Sequence, residues 1–265
     1  MQEDISWKMR MEHKGYSHLW LSWSLGNIHF DPASSLNDGD IVILLWVWPE
    51  RLVETAQAIS AGKKLIVIAS QEIIDWLQNF GSFDGYADHF HEQNLSIKLT
   101  PYEGFPSWTW PEGIERIRTA ISHPLRVFKR LLRKHSMPNS MPRVAEVTFP
   151  SGVTLVHLNL SLHRLQQKSW LQSYSQKCGE IDWLIAGIDQ NQDDAFVENL
   201  SFFQTDLILV TDLLSGSRKE VGLKTQWLTP IVDNLLDIFE ASSSSKKAYV
   251  FAPFASFRFN TKDLT

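Results

Sequence analysis

Cysteine is nearly absent: the chain of 265 residues has one, Cys178. It can therefore close no disulfide within itself and cannot build a thiolate metal cluster. Long apolar runs are missing as well. No stretch approaches the roughly 20 apolar residues that cross a bilayer, and the opening residues MQEDISWKMRMEHK are too polar for the core of an export signal. No transmembrane segment is expected, and the cytoplasm is the expected setting. An excess of positive charge is lacking too. With 25 basic against 30 acidic residues, a net charge of −5 and a pI near 6.0, the chain has no overall attraction for nucleic acid. Also missing is an intact copy of any standard catalytic, nucleotide-binding or metal-binding motif.

What is present is the composition of a folded protein: 43% hydrophobic, 21% charged and 12% aromatic residues. Eleven tryptophans exceed what a core of this size needs, so they serve either as packing residues with one polar edge or as the lining of a groove. Residues 16–23 and 27–30 read as a hairpin about Gly26 and Asn27, ended by Asp31 and Pro32. Residues 41–48, IVILLWVW, are eight consecutive apolar residues and predict a strand buried on both faces.

Pro49 suits the first turn of a helix, here predicted over about 50–61 and ended by Gly62. A second buried strand at 65–69 follows, and Ser70 caps a helix carrying Ile73, Ile74 and Leu77. This strand, helix, strand, helix order predicts parallel pairing with a right-handed crossover.

Residues 83–142 differ in character, with a polar cluster, a strand at 95–99, an aromatic turn at 102–110 and a basic helical segment. The earlier order then resumes: a hairpin of 144–149 with 153–158, a helix at about 161–174, a strand at 183–186, a helix at 196–203 and a strand at 207–211. Thr229 and Pro230 open a final helix to about Glu240, and residues 248–251 with 257–259 close a sheet edge. The doubled order predicts two similar halves packed as a sandwich of sheets with helices outside.

That order resembles the metallo-β-lactamase fold, a four-layer αββα sandwich in the α/β class. Residues 26–32 (GNIHFDP), 40–51 (DIVILLWVWPER) and 207–212 (LILVTD) carry the resemblance. It implies one α/β domain over 1–265, with 83–142 as a family-divergent insertion. In that family the second buried strand ends in a His-x-His-x-Asp-His loop that binds one or two metal ions. Carried onto this chain, the histidines become Trp46, Trp48 and Arg51, and the aspartate becomes Glu50. Indoles offer no suitable lone pair, and a guanidinium is a permanent cation.

His157 is the ligating side chain near a further family position, Asp212 stands where a late histidine is usual, and Asp31 resembles an aspartate that supports the site from behind. The resemblance thus implies a lost metal centre and no cofactor. Without the family, Trp46 and Trp48 are two apart on a strand and share a face. They fill space at the strand end, with Glu50 at a helix N-terminus and Arg51 solvated, or form an aromatic floor with one acid and one base for a small ligand or a peptide, or take a catalytic role.

Other residues compete for a role. Asp84, Asp88, His89, His91 and Glu92 form the densest group of potential metal ligands, against the alternative of an ordinary polar loop. Arg118, Arg126, Lys129 and Arg130 offer either a partner-binding face or a solvated one. Tyr102, Phe105, Trp108 and Trp110 make a lid or a plug, and Cys178 reads as a structural thiol.

The expected function is that of a non-catalytic or strongly diverged metallo-β-lactamase-like protein binding a small molecule or a protein partner. The alternatives are a hydrolase of an ester, lactone or phosphodiester with a rebuilt metal site, and a structural or interaction subunit.

Overall fold

A computed structural model describes residues 8–13, 18–23, 26–32, 36–47, 49–102, 137–161, 168–188, 199–212, 247–251 and 256–260. The first half begins with antiparallel strands β1 (Lys8–His13), β2 (Leu19–Trp23) and β3 (Gly26–Phe30). It continues with β4 (Ile41–Ile43), α1 (Pro49–Ser60), β5 (Ile66–Ala69), α2 (Gln71–Leu77) and β6 (Asp84–Ala87). Strands β3 to β6 run parallel.

The second half repeats this scheme. Strands β7 (His89–Glu92), β8 (Leu95–Pro101), β9 (Arg143–Thr148) and β10 (Thr154–Ser161) are antiparallel neighbours. Helix α3 (Lys168–Cys178) leads to β11 (Glu180–Ile188), β12 (Gln204–Asp212) and β13 (Lys247–Phe251), which run parallel with β10. The last strand, β14 (Ser256–Asn260), returns to pair with β1. Two seven-stranded sheets result, in the orders β14-β1-β2-β3-β4-β5-β6 and β13-β12-β11-β10-β9-β8-β7.

Alternation along the strands builds the layers. Leu19, Leu21, Ile28, Phe30, Ile41 and Ile43 of the first sheet meet Ile97, Leu99, Val147, Leu155, Trp183 and Leu209 of the second between the sheets. Val42, Leu44 and Val67 lie on the other face of the first sheet, under Leu52, Ala56 and Ile59 of α1 and Ile73 and Leu77 of α2. Val156, Leu184 and Ile208 pack under Leu171 and Tyr174 of α3. The architecture is therefore the expected four-layer αββα sandwich.

Local chemistry explains the element ends. Gly62, at φ 80°, closes α1 by donating to the Ile59 carbonyl, a left-handed geometry that favours glycine. The Ser70 hydroxyl accepts the Ile73 N–H as the cap of α2.

Three expectations differ: residues 248–251 and 257–259, expected to close one sheet edge together, fall in β13 and β14 at the edges of different sheets, and two elements have other bounds. The strand foreseen over 41–48 ends at Ile43: the Leu44 N–H makes the last ladder bond, to the Ile68 carbonyl, and the Leu45 N–H turns away to the Asp31 side chain; Trp46 lies at a bend. Ser161, foreseen as the opening of a helix, instead ends β10 alongside β11, and the described helix spans Lys168–Cys178. Part of the 83–142 stretch is sheet: it supplies β6, β7 and β8. The basic segment with Arg118, Arg126, Lys129 and Arg130, the aromatic turn beyond Tyr102 and the helix foreseen at Thr229 lie outside the described residues.

Candidate functional site

Four parallel strands of the first sheet point their C-terminal ends to one rim of the sandwich. There β3 is followed by Asp31, β4 by Leu45 and Trp46, β5 by Ser70 and β6 by Asp88. The second sheet brings the end of β8 at Tyr102, the start of β9 at Arg143 and the end of β12 at Asp212 to its corresponding edge. The Arg143 N–H donates to the Leu45 carbonyl at 2.7 Å and joins the two edges. Ligands of α/β sheets bind outside the carboxyl ends of parallel strands, so the topology marks this rim before any side chain is considered.

Asp31 is fully buried, with a left-handed φ of 44°, and its Oδ1 accepts the Leu45 N–H at 2.9 Å. It thereby fixes the turn that presents half-buried Trp46. Arg51, in the first turn of α1, is 6% exposed, which corrects the reading of a solvated guanidinium. Its backbone carbonyl accepts from Thr55 Oγ1. Trp48 and the side chains of Glu50 and Asp212 lie outside what the structure describes, and the backbone of Asp212 pairs with Ile188. Trp46 follows the end of β4 at Ile43 and so stands off the strand on which it was expected.

His157 is buried on the inter-sheet face of β10, opposite Ala145 and Ile185, with its ring edge-on to Phe30 at 5.0 Å between centroids. It pairs with Ala145 and so lies two residues deeper along β9 than the Arg143 level of the rim. His89 and His91 are exposed on β7 with Phe90 buried between them. Strands β8 and β9 separate β7 from β10, so these histidines stand about 14 Å from His157 at the usual strand spacing.

One polar network at the rim was not foreseen as a unit. Arg143 Nε donates to Asp88 Oδ1 at 2.7 Å, Nη2 to Oδ2 at 3.4 Å, and Nη1 to the Met141 carbonyl at 2.8 Å. Ser140 Oγ, 3.5 Å from the same Nη1, donates to Ser70 Oγ at 2.7 Å. A hydrogen bond from Ser70, its own N–H and the Arg143 charge hold the Glu72 carboxyl below its usual range, against burial. The legible signal was an arginine at the start of a strand whose next residues, Val144 and Ala145, are apolar. Tyr102 packs edge-on to Trp170 of α3, and burial pushes its hydroxyl up. Burial likewise raises the Cys178 thiol to about 11, with Glu146 at 3.9 Å, which suits a structural thiol rather than a nucleophile.

The metal implied by the resemblance does not fit these residues. Trp46 and Arg51 supply no ligand at two positions of the expected loop, and His157 is set among apolar side chains. Among the described residues, no three His, Cys, Asp or Glu side chains converge as metal ligands.

Two stacked mixed sheets with helices on both outer faces define a metallo-β-lactamase-like fold. Solved structures agree in that fold. Igni18, a metallo hydrolase from the hyperthermophilic archaeon Ignicoccus hospitalis, matches with a TM-score of 0.57 at 12% identity, over 96% of this chain and 99% of its own. CmlA, a diiron β-hydroxylase from Streptomyces venezuelae, matches with a TM-score of 0.60 at 10% identity, over 95% of this chain and 54% of its own. The isothiocyanate hydrolase from Delia radicum gut bacteria matches with a TM-score of 0.55 at 10% identity, over 96% of this chain and 99% of its own. At such identities the likeness is one of fold. No family model and no curated protein matches the sequence. Among the described residues, no helix is long and apolar enough to cross a membrane.

Proposed function

We propose that this chain is a pseudoenzyme of metallo-β-lactamase-like fold that binds a small organic ligand or a peptide at the rim where the two sheets meet. The observation that carries the reading is the turn after β4: Trp46 stands half-buried, beside the Asp31–Leu45 bond, at the position where the sequence resemblance implies a metal ligand. A tryptophan face offers a stacking surface for a planar or apolar body. Arg51, Trp48, Glu50, His157 and Asp212 complete the candidate set. The single cysteine, half-buried and unsuited to nucleophilic attack, supports a cytoplasmic setting.

Two measurements on the full chain test this. Elemental analysis is expected to find no stoichiometric zinc, iron or manganese, and assays on esters, lactones and phosphodiesters to find no turnover. A thermal-shift screen with aromatic small molecules and short peptides is expected to yield ligands whose stabilisation drops at least tenfold in apparent affinity in Trp46→Ala, about 1.4 kcal/mol. Tightly bound metal with metal-dependent hydrolysis would overturn the reading.

A further inference from the structure

Strand β7 stands at the edge of the second sheet, and among the described residues β8 is its one neighbour in that sheet. Its residues alternate: Phe90 is buried between the sheets, while His89 and His91 are exposed on the outer face. Residues two apart on a strand share a face, so the two imidazoles stand side by side with Cα atoms about 6.7 Å apart. Lys98, opposite His89 on β8, carries its ammonium to within 3.9 Å of Glu146 on β9, the side away from β7.

The hairpin fixes which backbone groups of β7 face outward. Gln93 and Asn94, at φ 48° and 64°, form the two-residue turn that joins β7 to β8. In such a hairpin the closing pair, here Glu92 and Leu95, exchanges both of its hydrogen bonds, and every second pair along the ladder does the same. Phe90 and Ile97 are the next such pair, and the bond from the Leu99 N–H to the Asp88 carbonyl continues the alternation. The N–H and C=O groups of His89 and His91 therefore point to the open side of the sheet.

These two residues are self-complementary. An antiparallel second copy, with Phe90 on the two-fold axis, sets His89 against His91 of that copy and His91 against its His89, and each pair exchanges backbone hydrogen bonds. The histidine Cβ atoms of both copies then mark a rectangle of about 5.5 by 6.7 Å on the outer face. One ion above its centre lies within reach of all the rings at metal–nitrogen bonds of about 2.1 Å. Tyr86 of β6, 38% exposed, packs edge-on against Phe90 with ring centroids 4.9 Å apart and adds an aromatic surface beside the axis.

Neither half of this arrangement suffices alone. One chain offers two imidazoles where a tetrahedral ion takes about four ligands. A strand of 4 residues is in turn too short to bury the roughly 1,200 Å² of a stable interface.

We propose that β7 is the docking edge for a second copy of this chain, closed by a divalent transition-metal ion that His89 and His91 of both copies hold together. Imidazole favours zinc, nickel and copper over magnesium and calcium. Only the pair holds the ion, and dilution or a chelator releases both, so a chain purified free of metal still has this site. It is separate from the rim, because β8 and β9 lie between β7 and the strand of His157.

Sedimentation velocity of the full chain tests this in chelator, with zinc alone and with magnesium alone. The expected result is a monomer in chelator and in magnesium, and in zinc a dimer with one ion shared between the two chains. His89→Gln and His91→Gln, both on the exposed face, should each weaken the zinc-dependent dimer at least tenfold. Amide hydrogen exchange reads the register: zinc should slow the His89 and His91 N–H groups and leave those of Phe90 and Glu92, already bonded to β8, unchanged. A chain that stays monomeric in zinc, a dimer that persists in chelator or in the double variant, or His89 and His91 amides that exchange equally fast with and without zinc would each overturn the inference. None of these outcomes involves Trp46, so failure here leaves the reading of the rim to its own test.

Discussion

At the scale of the residue, Asp31 does the most with one side chain. Its left-handed backbone ends β3, its N–H donates to the Ile43 carbonyl, and its carboxylate takes the Leu45 N–H. Aspartate and asparagine tolerate this backbone better than other non-glycine residues. Asp31→Ala leaves the Leu45 N–H buried without that acceptor and should lower stability by about 1–3 kcal/mol in urea denaturation, whereas Asp31→Asn keeps an acceptor oxygen and should cost less. A cost for alanine no greater than for asparagine would show that the bond contributes nothing. Asp31 could be read from the sequence because an aspartate before a proline at a hairpin end has a local meaning. Arg51 could not be read so: its residue type says solvent, and its burial comes from the packing of α1 on the sheet, which no local pattern records.

At the scale of the element, the crossing from β6 to β7 takes the chain from one sheet to the other at Asp88, itself left-handed at φ 56°. The Asp88 N–H donates to Ala69, its carbonyl accepts from Leu99, and its carboxylate holds Arg143. The pair is asymmetric, since the Arg143 side chain is 9% exposed and that of Asp88 is 40%. Asp88→Asn strands a nearly buried cation and should cost about 1–3 kcal/mol, less than for a fully buried pair because water reaches the carboxylate. Arg143→Met leaves a carboxylate that water can reach, so its loss should be the smaller of the two in parallel urea titrations. The reverse order would mean that Arg143 acts mainly through its bonds to Met141 and Ser140.

Helices α1 and α2, both hairpins and the parallel strands were legible because each has a local period and a local stop. The errors fell where the stop is not local. The run at 41–48 stays apolar after the strand ends, because Leu44 and Leu45 remain buried although the Leu45 N–H has left the ladder for the Asp31 side chain.

At the scale of the whole molecule, the two halves are built alike and each borrows its outer antiparallel strand from the other. After its last parallel strand, β6, the first half sends β7 across to pair with β8; after β13, the second half sends β14 back to pair with β1. The doubling was visible in the order of elements, but the exchange was not. Strand β1, KMRMEH, has little apolar pattern, and its partner lies at the far end of the sequence, so pairing at that separation leaves no local trace.

The exchange makes an unusual prediction. Deleting residues 256–265 removes a C-terminal strand, yet the exposed edge appears at β1, whose residues Lys8 to Glu12 lose their register with Asn260 to Ser256. Amide hydrogen exchange should therefore speed up in β1 and spread into β2, while β13, paired with β12 in the other sheet, keeps its protection. Faster exchange confined to β12 and β13 would refute the strand exchange. Because β2 leads through β3 to Asp31, the same deletion should also weaken any ligand bound at the rim, linking the last strand of the chain to a site built mostly by the first half.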